Sequence, residues 1–228
     1  MKPDDTKSKN EIVRGQNQAL AARSSGLVSR GLRDLTTGSL REAPNDLPLA
    51  IDPGDSDAWI NKGWALYKLG RHAEALETCN RVLTSNPGTT AAWYLKGWNL
   101  IELGRHEEAL EAYNRALTIA PENSQGWIIK GWTLNKLGQH EEALEAFDRA
   151  LTLPTGGSSA WFFKGWTLNK LGQHEEALEA FDRVLAIDPG HSDAWINKGW
   201  ALGKLGRHEE ALEATRQGKA RSVEQKTP

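Results

Sequence analysis

The sequence predicts an all-α fold, a solenoid of stacked antiparallel helix hairpins, and three observations predict it. First, ten Trp fall into two series, Trp59, Trp93, Trp127, Trp161 and Trp195, and Trp64, Trp98, Trp132, Trp166 and Trp200, each stepping by 34 residues. Second, Gly keeps the same step, at Gly63, Gly97, Gly131, Gly165 and Gly199 and again at Gly70, Gly104, Gly138, Gly172 and Gly206. Third, apolar residues inside each unit recur at helical spacing. A fixed period between about 20 and 50 residues is the mark of a repeat architecture, in which each unit buries its apolar face only by stacking on a neighbour.

The elements follow in chain order. Residues 1–24 are polar and are expected to be a disordered tail. Residues 25–55 keep the Gly spacing at Gly31 and Gly38, and Glu42-Ala43 answers to Glu74-Ala75. Pro44 and Pro48 interrupt their second helix, and proline inside a helix costs about 3 kcal/mol. A degenerate N-terminal repeat acting as a cap is expected there. Five full units then run 56–89, 90–123, 124–157, 158–191 and 192–222, before a tail at 223–228. In the first unit, Trp59, Ile60, Trp64, Leu66, Tyr67 and Leu69 form one helical stripe; Asp57 is the expected N-cap and Gly70 the left-handed stop. The second helix is best read in the next unit. Ala109, Leu110, Ala112, Tyr113, Ala116 and Leu117 make its apolar face, Glu107 and Glu108 suit its positive end, and Pro121 ends it. The third unit departs, with Pro154 one position early in PTGG. The last unit replaces Phe181 and Val184 by Thr215 and Gly218, which fits a hairpin with none after it. Two stretches recur unchanged: KGWTLNKLGQHEEALEAFDR at 130–149 and 164–183, and SDAWINKGWAL at 56–66 and 192–202.

With Trp at the fourth position, Gly at the eighth, Ala at the twentieth, an apolar residue at the twenty-fourth and Pro at the thirty-second, the units resemble the tetratricopeptide repeat family. Lys at the seventh position and Leu at the eleventh depart from it. The resemblance implies a right-handed superhelix whose first helices line a concave groove. It also implies that partner contacts come from the second, fifth, sixth, ninth, twelfth and thirteenth positions. The ninth gives Trp64, Trp98, Trp132, Trp166 and Trp200; the fifth gives Ile60, Tyr94, Ile128, Phe162 and Ile196; the thirteenth gives Lys68, Lys136, Lys170 and Lys204, with Glu102 in the second unit. These describe an aromatic-lined groove edged by Lys, suited to an extended or polyproline-like peptide or to the apolar face of a helix. Equally, each ninth-position Trp suits packing against the next hairpin, as a stiff ladder. A clamp on a C-terminal carboxylate, known in the family, needs polar residues at the ninth position, and none is expected here.

Composition narrows the function. Lys and Arg number 28 against 30 Asp and Glu, a net charge of −2, which argues against nucleic-acid binding. A base-reading helical repeat would also need units that differ from one another. The lone Cys79 forms no intramolecular disulfide and fits a reducing compartment. No apolar run reaches the roughly 18 residues of a membrane span, and MKPDDTKSKNEIV carries no signal-peptide core. A cytoplasmic chain is expected. His72, His106, His140, His174 and His208 recur at one position, but metal ligands must converge to about 2 Å from the ion, and stacked hairpins lie about 10 Å apart. No metal and no cofactor are expected. Neither a phosphate loop nor a nucleophile elbow occurs, and the paired Glu sit on solvated helix faces. The expectation is a non-catalytic protein-interaction scaffold. The alternative is a self-associating structural protein whose hairpin ends stack, which sedimentation at several concentrations separates from it.

Overall fold

Each unit folds as two antiparallel helices joined by a tight turn. The computed structural model describes residues 55–224, and its ten helices pair in order. They are α1 Ser56–Lys68, α2 His72–Ser85, α3 Thr90–Glu102, α4 His106–Ile119, α5 Ser124–Lys136, α6 His140–Leu151, α7 Gly157–Lys170, α8 His174–Ile187, α9 Ser192–Lys204 and α10 His208–Glu224. No strand occurs among the described residues. The expected tail at 1–24, the degenerate unit as far as residue 54 and the chain end at 225–228 lie outside the described residues.

The turn inside every hairpin is a Schellman motif. Gly70, Gly104, Gly138, Gly172 and Gly206 adopt φ between 72° and 79°, the left-handed region that glycine enters without steric cost. At the third turn, for example, the Gln139 amide donates to the Leu134 carbonyl at 3.0 Å and the Gly138 amide to Asn135 at 3.2 Å. The entry to α1 corrects one expectation. The cap is Asp55, whose Oδ1 accepts from the Ala58 amide at 2.9 Å, and Asp57 lies in the first turn, facing the helix dipole.

Inside the three middle hairpins an aromatic ring packs directly against a glycine of the first helix. A Cβ at Gly97 would meet the Tyr113 ring at 2.3 Å, and one at Gly131 would meet Phe147 at 2.5 Å. Tyr113, Phe147 and Phe181 are the largest fully buried side chains. Only a residue without a side chain lets the second helix bring such a ring so close, so the two positions specify each other. Between hairpins, each second helix packs on the first helix of the next unit. First helices also pack on one another, α1 on α3, α5 on α7 and α7 on α9. They therefore line the tighter, inner side of the array.

The early Pro154 shortens α6 to 12 residues, against 14 in α8, and α7 starts at Gly157, ahead of the expected unit boundary at 158. At the far end, Gly218 faces no open surface. It is buried, and a Cβ there would meet Ile196 at 2.7 Å and the Ser192 carbonyl at 2.9 Å. Close approach of α10 to α9 explains the glycine better than the lack of a following hairpin.

Candidate functional site

The two Trp series do different work. Trp93, Trp127 and Trp195 donate their indole N–H to the carbonyls of Pro87, Pro121 and Pro189, at 2.8, 2.8 and 3.0 Å, tying each helix start to its incoming linker. In the fourth unit Pro154 stands seven residues before Trp161 and is out of register with that bond. The seventh-position lysines, unusual by family comparison, lie over these rings. Lys62, Lys96, Lys130, Lys164 and Lys198 place Nζ 5.0–5.5 Å from the rings of Trp59, Trp93, Trp127, Trp161 and Trp195. Lys164 and Lys198 are also ion-paired with Asp148 and Asp182 of the preceding second helix. Asn114 stands at the matching position before Lys130, whose pKa burial pushes down.

The ninth-position series grades in exposure along the inner face. Trp98 is buried at 5% and sits edge-on to Tyr113 at 6.5 Å. Trp64, Trp132 and Trp166 are half-buried, and Trp200 is 48% exposed. Of the fifth-position residues, Tyr94, Ile128 and Phe162 are buried in the core, while Ile60 and Ile196 remain partly open. The structure thus places the middle of that row beneath the inner face.

Lys68, Lys136, Lys170 and Lys204 are exposed. Lys136, Lys170 and Lys204 place Nζ 4.9, 5.0 and 5.2 Å from the rings of Trp132, Trp166 and Trp200, four residues back. In the second unit Glu102 takes the same position and accepts from the Tyr67 hydroxyl at 3.3 Å; burial and that carboxylate push the Tyr67 pKa up to about 12.

A buried polar layer under these pairs went unread in the sequence. His140 Nδ1 lies 2.9 Å from Asn135 Oδ1, and His174 Nδ1 lies 3.2 Å from Asn169 Oδ1, so each imidazole donates. The Asn135 amide donates onward to Thr167 Oγ1 in the next unit at 2.7 Å. In the first unit His72 reaches Asn99 instead, at 3.1 Å. His106 has neither partner. Its own unit carries Ile101 where Asn135 stands, and Thr133 replaces Asn99 and donates to the Ile129 carbonyl. Its Nδ1 is buried without a protein partner. The signal was present as the pairing of Asn at the twelfth position with His at the seventeenth. Among the described residues, no three His, Cys, Asp or Glu side chains gather as a metal site. Cys79 is buried at 1%, and burial pushes its thiol up to about 12, against thiolate chemistry.

Charge is sorted by helix. The first helices α1, α3, α5, α7 and α9 carry nine Lys against three acids, Asp57, Glu102 and Asp193. The second helices reverse this, with 17 Asp and Glu against seven Lys and Arg. The near-neutral total hides basic first helices paired with acidic second ones.

No helix of the described residues is long and apolar enough to cross a membrane. Three family models, each described as tetratricopeptide repeat, match residues 55–122, 94–160 with 130–192, and 168–224. No curated protein matches the chain. Among solved structures, MamA is 20% identical with a TM-score of 0.67, covering 74% of this chain and 92% of that one. MamA 41-end from Desulfovibrio magneticus RS-1, also 20% identical, gives 0.70 over 77% and 100%. YrrB, described as a TPR protein with an unusual peptide-binding site, is 28% identical, with a TM-score of 0.63 over 75% and 88%. With the period, the paired helices and the matched models in agreement, the chain belongs to the tetratricopeptide repeat family.

Proposed function

We propose that this protein is a non-catalytic interaction scaffold of the cytoplasm that holds a segment of a partner protein along the inner face of its first helices. One observation carries the reading: Trp132, Trp166 and Trp200 keep open ring surface on that face, each beside an exposed Lys one turn on. Indole rings bury large area with few rotatable bonds, which makes them good anchors. The peptide-binding site described for YrrB supports the same use of the fold.

Selection from a displayed peptide library tests this, with wild type beside a Trp132→Ala, Trp166→Ala, Trp200→Ala variant that circular dichroism shows to be helical. Peptides retained by wild type and lost by the variant support the groove. Peptides retained equally place binding elsewhere. A second reading, self-association through the hairpin ends, draws on Trp200 and on Leu212, which is 55% exposed in the last unit. Mass that grows reversibly with concentration in sedimentation favours it.

A further inference from the structure

We propose that the occupant of this groove is an acidic, extended segment of a partner protein, with carboxylates meeting Lys136, Lys170 and Lys204 and apolar residues lying against Trp132, Trp166 and Trp200. The inference rests on the groove reading and adds the chemistry of the partner.

Its ground is charge complementarity. Helices α5 and α7 carry no Asp or Glu at all, so the inner face of the third and fourth units offers only cations. Across the last three units the first-helix lysines divide by position, Lys130, Lys164 and Lys198 at the seventh and Lys136, Lys170 and Lys204 at the thirteenth. Lys164 is held by Asp148 and Lys198 by Asp182. Lys136, Lys170 and Lys204 are exposed, rest against indole rings, and have no carboxylate within ion-pair reach among the described residues. An ammonium held over a ring keeps its far side open to an anion, and the ring fixes its place. The acidic second helices repel the same segment from the outer face, so the field steers it to one side of the wall.

Spacing sets the pattern. Stacked hairpins lie about 10 Å apart, and a polyproline-like chain rises about 3.1 Å per residue with three residues per turn. One face of such a segment therefore meets successive Trp–Lys pairs with every third residue. A nucleic acid fits less well, because its phosphates need a continuous basic track and the 17 acids of the second helices flank this one.

The test is fluorescence anisotropy with C-terminally amidated peptides, (Glu-Pro-Leu)4 and (Gln-Pro-Leu)4, and with the oligonucleotide dT12. The Glu peptide is expected to bind at least tenfold more tightly than the Gln peptide. Raising salt, or changing Lys136→Gln, Lys170→Gln and Lys204→Gln together, should remove that difference, while circular dichroism of the variant stays that of wild type. Equal binding of the two peptides, binding of neither, or tighter binding of dT12 overturns the acidic inference. The groove itself fails separately, if a folded Trp132→Ala, Trp166→Ala variant binds the Glu peptide as wild type does.

Discussion

Tyr113 stands where the next two units place Phe147 and Phe181, and its hydroxyl is buried with no protein partner. A buried polar group left unpaired costs about 1–3 kcal/mol, and the burial drives the Tyr113 pKa far up. Tyr113→Phe is therefore expected to stabilise the protein by about 1–2 kcal/mol in urea denaturation, and a lower midpoint would contradict the account. His191 shows the opposite use of a polar group. Its Nδ1 accepts from the Ala194 amide at 3.2 Å and caps α9, while its ring stacks on Phe162 at 5.0 Å. Burial lowers its pKa below 6.5, against the pull of Asp193 and Asp188. The folded state thus disfavours the proton. This contribution to stability is complete above about pH 6.5 and is lost as pH falls through the folded value. His191→Asn keeps an acceptor at the cap, so melting at pH 7.5 and 5.5 should show a smaller acid shift than wild type. The sequence showed that a cap was needed near residue 57 but not which carboxylate supplied it. Asp55 and Asp57 differ only in whether the oxygen meets a free amide, and that is a matter of geometry.

Helix lengths and turns were legible because they depend on local chemistry. A glycine with positive φ ends each first helix, and a proline follows most second helices. The displaced Pro154 was visible too. What the sequence could not show was how the chain absorbs it: α6 stops early, and Gly156 passes so close to Ala150 that a Cβ there would lie 1.9 Å from the carbonyl oxygen. Gly156 is thus needed for space at φ −71°, a conformation open to any residue. Gly156→Ala is expected to cost about 1–3 kcal/mol of stability, since the backbone it strikes has no flexible end to give. A thermal shift no larger than that of an exposed helix substitution would sink the explanation.

At the scale of the whole chain, the 34-residue period announced the solenoid, but the summed charge misled. A net charge of −2 argues only against nucleic-acid binding, whereas sorting the charges by helix separates basic first helices from acidic second ones. Summation discards position, and only the fold says which residues share a side. The roles of the Trp were hidden for the same reason, since equal spacing gives buried Trp98 and exposed Trp200 the same signature. The repeat is nonetheless modular enough to shorten. Deleting residues 130–163 joins two copies of one text without a seam. Such a chain is expected to remain helical and to unfold with a denaturant slope smaller by about one fifth, because that slope follows the surface exposed. An unfolded product would mean that the units are not interchangeable.

The same duplication bears on any segment seated in the groove. Trp132 with Lys136 and Trp166 with Lys170 present the same rings and cations, on the same Asn–His supports, in successive units. A ligand that spans fewer units than the array holds has more than one berth of nearly equal energy. Each doubling of berths is worth about 0.4 kcal/mol of affinity through statistics alone. A short ligand can step from one berth to the next without leaving the protein, whereas a ligand long enough to fill them all is held in a single register.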